Sequence, residues 1–251
     1  MSDVASGAVT ESSSGFMVGD VLGRTFSILG RNLVPFLVIA AVAAIPHLFL
    51  DRTAISSMPG MSSQMIFQSG WSLIIGGLVQ ILTQAVILHA AFQDMLGRPI
   101  RIGDSVRVGF SRFLPILGLS ILLGFGIVVG LLFVIIPGVI LLVMWSVALP
   151  ACVVEAQGPV GSLGRSIELT KGHRWKIFGL LFLIWLVSMI LSFALGATGA
   201  MVAGHYGLLG AQFIIQTVLG AFRAILVIVI YRDLRVAKEG IGTEQIAAVF
   251  D

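Results

Sequence analysis

From Phe113 to Val154 the chain carries no Asp, Glu, Lys, Arg or His. A run of that length is too long to cross a bilayer once, since a spanning helix needs about 20 residues. Near its middle stand Pro137 and Gly138. Proline disrupts a helix and glycine frees the backbone, so the pair predicts a tight hairpin at Ile136-Pro137-Gly138 between two spans.

Comparable runs recur along the chain. They predict six spanning helices near Leu33–Leu50, Trp71–Phe92, Phe113–Ile136, Val139–Val154, Lys176–Thr198 and Leu208–Tyr231. Hydrocarbon offers no partner for an open backbone group, so a spanning segment must satisfy its own N–H and C=O groups. The runs are apolar all round, without the short alternating segments of a barrel, so the expected fold is all-α. Composition agrees. The 251 residues are 57% apolar and 11% charged, with a mean hydropathy of +1.06. A soluble domain carries about 25% charged residues. A soluble globular fold, a disordered chain and a nucleic-acid-binding module are thereby excluded, and nucleic acid is not an expected partner. The pI near 9.5 reflects only 15 Lys+Arg against 12 Asp+Glu.

The basic residues set the expected sidedness, because Lys and Arg collect on the cytoplasmic face. Arg24 and Arg31 precede the first span. Arg98, Arg101, Arg107 and Arg112 lie between the second and third. Arg165, Lys171, Arg174 and Lys176 lie between the fourth and fifth, and Arg232, Arg235 and Lys238 follow the sixth. Only Arg52 falls on the opposite side, and Arg223 falls inside the last span. Both termini are therefore expected in the cytoplasm. Residues 1–16 are Ser/Gly-rich, lack a basic and apolar leader, and read as a disordered tail. The membrane domain covers 17–236, and 237–251 form a second cytoplasmic tail.

The segments before the odd spans share a pattern. Val18, Leu22, Phe26 and Leu29 have the same spacing as Ile102, Val106, Phe110 and Phe113, and Val160, Leu163, Ile167 and Thr170 are a looser version. Each predicts a short amphipathic helix, its apolar face turned to lipid or to the end of the bundle. The even spans end at Asp94, Glu155 and Asp233, with Gln84, Trp145 and Arg223 ten residues earlier in each case. A unit of interfacial helix, span, outer turn and span, used three times, accounts for both regularities.

The stretch Pro137-Gly138, Trp145, Leu149-Pro150, Val153-Val154-Glu155, Leu163-Gly164-Arg165-Ser166 and Leu169 to Gly179 resembles the YciC-like bacterial inner-membrane proteins. It is also similar to the membrane domain of some glycerophosphodiester phosphodiesterases. The resemblance implies six transmembrane helices in the bacterial inner membrane and no settled activity. The chain has no phosphodiesterase domain, so that chemistry is not carried over.

Arg223 is the most informative single residue. It lies roughly 12 Å from the cytoplasmic end of its span at 1.5 Å per residue. A charge at such depth on a lone helix costs at least about 2.5–3.5 kcal/mol. No Asp or Glu lies in a predicted span to pair with it. Gln80 and Gln84, Gln212 and Gln216, backbone carbonyls, water or a bound anion such as a lipid phosphate are its candidate partners. Each Gln pair is spaced i, i+4 and so shares a helical face. It either lines a polar cavity or makes interhelical hydrogen bonds. Arg223 itself is either a structural arginine or an anion site.

The basic residues Arg107, Arg112, Arg165, Lys171, Arg174 and Lys176 form a candidate rim for anionic headgroups. Gly126/Gly130 and Gly196/Ala200/Gly204 read as small-residue packing faces, toward this chain or another copy. Asp94, Glu155 and Asp233 either form a ring of acids near the pseudo-threefold axis or pair with neighbours such as Arg165 or Arg98. His47, His89, His173 and His205 match no metal-binding spacing. The single cysteine, Cys152, permits no intrachain disulfide, and no nucleophile, acid–base pair or cofactor motif is visible. The expectation is a non-catalytic inner-membrane protein without metal or cofactor, acting through contacts with lipids or proteins, a second copy included. The alternative is a small transporter or lipid-translocating protein with a polar site near the midplane.

Overall fold

The computed structural model describes residues 16–55, 63–133 and 135–239. The remainder of both expected tails, 1–15 and 240–251, lies outside the described residues. Those described form an all-helical fold: α1 (Val18–Arg31), α2 (Leu33–Ile55), α3 (Ser63–Met95), α4 (Ile102–Ser111), α5 (Phe113–Phe133), α6 (Ile135–Met144), α7 (Ala148–Val154), α8 (Pro159–Thr170) and α9 (Arg174–Glu239). Four windows are long and apolar enough to cross a membrane: Gly76–Met95, Phe113–Gly130, Ile136–Val154 and Arg174–Glu239. A fifth counts if α1 and the start of α2, bent by 86°, form one broken span.

Prolines punctuate these helices by a common mechanism. Pro35, Pro115, Pro137 and Pro150 each stand third in their helix, and Pro159 stands first in α8. A proline has no N–H to offer the carbonyl four residues back, but in a first turn that donor is unpaired anyway. The carbonyls so deprived belong to Arg31, Ser111, Phe133 and Ser146. The first three are the last residues of α1, α4 and α5. α5 ends at Phe133 and α6 begins at Ile135, so Pro137-Gly138 falls in the first turn of α6 rather than between the two helices, where the hairpin was expected. A Cβ on Gly130 would sit 3.0 Å from the Cα of Gly138, so glycine at both positions lets α5 and α6 approach closely.

Two further expectations are corrected. The fourth span is not one continuous helix, since it breaks at residues 145–147 between α6 and α7. The freed backbone groups find a partner in α8. Ser166 Oγ donates to the carbonyl of Met144 at 2.7 Å and accepts from the N–H of Val147 at 3.3 Å. Irregular backbone at membrane depth survives where protein satisfies it in this way. The second correction concerns Gly204. Helix α9 consists of two arms, 174–202 and 205–239, joined at Ala203 and Gly204, whose backbone angles are not helical. Gly204 has φ 57° and ψ −133°, a conformation open almost solely to glycine. It is the turn residue and not part of a packing face. The closest approach of the arms is made by Gly199 against Gly207, with Gly196 facing Leu208.

The amphipathic helices form as expected, but the face each docks coincides only in part with the expected stripe. α1 buries Val21, Thr25, Ile28 and Leu29, α4 buries Ser105 and Gly109, and α8 buries Ser162, Ser166, Leu169 and Thr170. Leu29 and Thr170 of the stripe are thus buried, and Val18 and Leu22 pack against the core. Phe26, Ile102, Val106, Phe110 and Val160 face outward, Phe110 being 65% exposed. Small residues dock because they allow close contact: a Cβ on Gly109 would meet Val86 of α3 at 2.9 Å. The outward apolar stripe is what an interfacial helix needs toward lipid.

The core follows the second arm of α9, where Ala221, Ile225, Ile228 to Tyr231 and Leu234 are fully buried against α1, α3 and α7. The ends of the membrane domain also differ from expectation. Phe16 is buried, 2% exposed, and packs edge-on against His173. Helix α9 continues to Glu239 rather than giving way to a tail at 237.

Candidate functional site

The structure brings together the three residues that stand ten positions before the terminal carboxylates. Gln84 of α3, Trp145 at the α6–α7 break and Arg223 of the second arm of α9 line one cavity of about 430 Å³. Small-molecule sites occupy roughly 300–1,000 Å³. The positions six before the carboxylates, Leu88, Leu149 and Val227, line the same cavity. Ser120, Ser146 and Ser188 add hydroxyls, and Leu123, Leu142, Leu181, Ile184 and Trp185 supply most of the apolar wall.

Local packing explains how the polar groups are presented. Gly126 has no side chain, so the Trp145 indole packs closely against α5, where a Cβ would come within 2.5 Å of the ring. The indole N–H is buried without a hydrogen-bond partner. Arg223 Nε donates to the carbonyl of Leu219, one turn back, at 3.2 Å. No carboxylate pairs with Arg223 among the described residues. The cavity thus offers the exposed guanidinium of Arg223 inside walls that are largely hydrocarbon.

The glutamines separate. Gln80, Gln84 and Gln216 meet Thr83 around a crevice of about 10 Å³ beside Ala40 and Ala44, so Gln84 borders both spaces. That volume holds one water at most. Gln212, expected to share the face of Gln216, is exposed and lines neither space. His89 bonds to Ser105 of α4 at 3.1 Å and to Gln93 at 3.3 Å, fastening α4 to α3.

At the opposite end of the same helices the terminal carboxylates are paired. Asp94 accepts from Arg31 at 2.5 Å and from Asn32 at 2.7 Å. Asp233 accepts from Arg24 at 2.5 Å. Glu155 accepts from Arg165 Nε at 3.0 Å, from Gln157 at 2.9 Å and from the Tyr231 hydroxyl at 2.6 Å. Arg165 also reaches Glu168 and Glu239, and Arg235 bonds to Glu239 at 2.8 Å. Lys238 donates to the carbonyl of Glu168. These groups clasp α8 to the end of α9. Sequence reasoning named Glu155 and Arg165 but missed Tyr231, Arg235 and Glu239, whose register on one face of α9 was the available signal.

The electrostatics follow. Burial works against the charged form of Glu239, but hydrogen bonds from Arg235 and Arg165 outweigh it and hold the carboxyl below its ordinary range. Burial pushes the Asp233 carboxyl upward, with Arg24 and Arg232 beside it acting in the other direction.

The expected headgroup rim divides in consequence. Arg165 has only 16% of its side chain exposed and is spent on the clasp, so it does not belong to an open rim. Lys176 donates to the carbonyl of Phe16 at 3.0 Å. Arg107 and Lys171 are exposed and Arg112 half-buried, while Arg174 stands at the mouth of a separate groove.

No curated protein and no solved structure matches this chain. Residues 100–234 match the family described as a domain of unknown function, DUF7847. That stretch runs from the entry to α4 through the clasp and Arg223 to Leu234. It covers more than half of the chain, and the chain belongs to this family.

Proposed function

We propose that this protein is a non-catalytic, lipid-handling protein of the bacterial inner membrane, and that its central cavity receives the phosphate group of an anionic amphiphile at Arg223. In this reading the chain crosses the membrane six times, through α2, α3, α5, α6 with α7, and the two arms of α9. Both termini are cytoplasmic, and α1, α4 and α8 lie in the inner interface. The resemblance to YciC-like proteins supports the bacterial inner membrane as the location.

The threefold repeat draws support from the same geometry. Equivalent positions of the three units converge on one cavity, as they would around a pseudo-threefold axis. Arg24 and Arg165 occupy equivalent positions on their amphipathic helices, and each binds the carboxylate that ends an even span, Asp233 and Glu155. In the second unit that position is Val108, and Asp94 is bound instead by Arg31.

The observation that carries the functional reading is the placement of Arg223. It lies about 15 Å along the helix from the Arg24–Asp233 pair, exposed to the cavity and without a carboxylate among the described residues. A charge kept at such depth favours a functional role over a packing one. A lipid phosphate would supply the missing negative charge, and the apolar wall would receive hydrocarbon.

The test is native mass spectrometry after gentle extraction, on the parent protein and Arg223→Ala. The expected result is loss of co-purifying anionic lipid with an intact fold. Lower thermal stability with unchanged lipid retention would make Arg223 a packing residue and overturn the proposal.

A further inference from the structure

A second site lies outside the central cavity. A groove of about 460 Å³ runs between α6 and the start of the first arm of α9. Its floor and walls are Ile140, Val143 and Phe178 with their apolar neighbours, and Arg174 is its only charged lining residue. Arg174 Nε is buried without a hydrogen-bond partner, and no carboxylate pairs with the side chain among the described residues. Trp175 borders the groove and is 86% exposed. Its ring stands edge-on to Phe178 at 6.1 Å.

We infer that this groove binds one anionic phospholipid from the inner leaflet, its phosphate on Arg174 and an acyl chain along α6 against Phe178. Charge complementarity selects this occupant. A wholly apolar partner would leave the guanidinium unsatisfied, and a free phosphate would leave the long apolar trough empty. Position agrees, because Arg174 follows the basic cytoplasmic segment containing Lys171, and tryptophan favours the membrane–water boundary. Trp175 and Phe178 open a row that continues through Phe182 to Trp185, with ring centroids 5.9 and 5.7 Å apart. Trp185 lines the central cavity. The inference requires a membrane-embedded protein but not an occupied central cavity, so it stands or falls apart from the role of Arg223.

Quenching of tryptophan fluorescence by brominated phospholipids tests it. The full chain is reconstituted in vesicles of zwitterionic lipid with a small fraction of brominated phosphatidylglycerol, or of brominated phosphatidylcholine as the control. The quenching that disappears in Trp175→Phe belongs to Trp175. That component should favour the anionic lipid about fivefold, the equivalent of the ~1 kcal/mol of one basic residue at a membrane surface. Arg174→Gln should abolish the preference, Arg223→Ala should leave it unchanged, and excess inorganic phosphate should not compete. Equal quenching by both lipids, or a preference unaltered in Arg174→Gln, overturns the inference. Competition by inorganic phosphate makes the site a free-anion site. Failure of any brominated lipid to reach Trp175, with dimers on crosslinking, assigns the groove to a second copy.

Discussion

Arg165 joins both Glu155 and Glu239 in the clasp, so Arg165→Met is the sharpest perturbation of it. The substitution keeps the side-chain length and removes the hydrogen bonds to Glu155 and Glu239. Glu155 would retain Gln157 at 2.9 Å and Tyr231 at 2.6 Å, with Arg235 at 3.9 Å. Glu239 would retain Arg235 at 2.8 Å. Removing a partner from a buried pair costs roughly 3–5 kcal/mol when the remaining charge is left alone. Here neither carboxylate is left alone, and part of the loss is offset because Arg165 no longer has to be desolvated. The expected destabilisation is therefore about 2 kcal/mol. Glu155→Gln measures the other side of the pair, and the double variant completes a cycle. Unfolding in mild detergent should give a coupling energy of about 1 kcal/mol or more between the two sites. Effects additive within about 0.5 kcal/mol would refute the reasoning, because the residues would then not share an interaction.

Two further outcomes follow from the same structure. Ser166→Ala should leave the Val147 N–H without its partner and the Met144 carbonyl with only the Thr170 hydroxyl at 3.4 Å, costing about 1–3 kcal/mol. Hydrogen exchange should rise at Val147 while the distant turn at Gly204 stays unchanged. The clasp should also weaken in acid. The carboxyl of Glu239 lies below its unfolded value, so its contribution is complete above about pH 4.3, the ordinary glutamate value, and is lost as the pH falls through the lower folded value. Burial raises the Asp233 carboxyl, so that group acts in the opposite sense, losing stability as the pH rises above the ordinary aspartate value. Melting curves between pH 3 and 6 should be flatter for Glu239→Gln than for the parent, and identical slopes would exclude the Glu239 contribution.

Much of the fold was legible because hydrocarbon simplifies the problem. Uninterrupted apolar runs must be helices, so α2, α3, α5 and both arms of α9 fall where composition places them. The breaks were harder. A proline marks where a helix loses a donor, but the carbonyl that loses its partner lies four residues upstream, so Pro137 falls in the first turn of α6 and not between the helices. The break at residues 145–147 has no strong local signal, because its backbone groups are satisfied by Ser166, about twenty residues away in sequence. The amphipathic helices show the same limit. Periodicity finds their apolar stripe, but the bundle divides it: Leu29 and Thr170 are buried with the small residues beside them, while Phe26, Phe110 and Val160 face outward.

By itself the sequence determined the all-helical class of this protein, its long apolar helices and the singularity of Arg223 within one of them. Each follows from transfer energies that every residue carries with it. Tertiary structure decided which polar groups meet. It placed Gln84, Trp145 and Arg223 around one cavity while leaving Gln212 outside, and it turned Arg165 from a candidate headgroup ligand into the centre of the clasp. A side chain's partners depend on helix rotation and crossing. Small glycine and serine contacts fix those, and they carry little weight in any count of apolar residues.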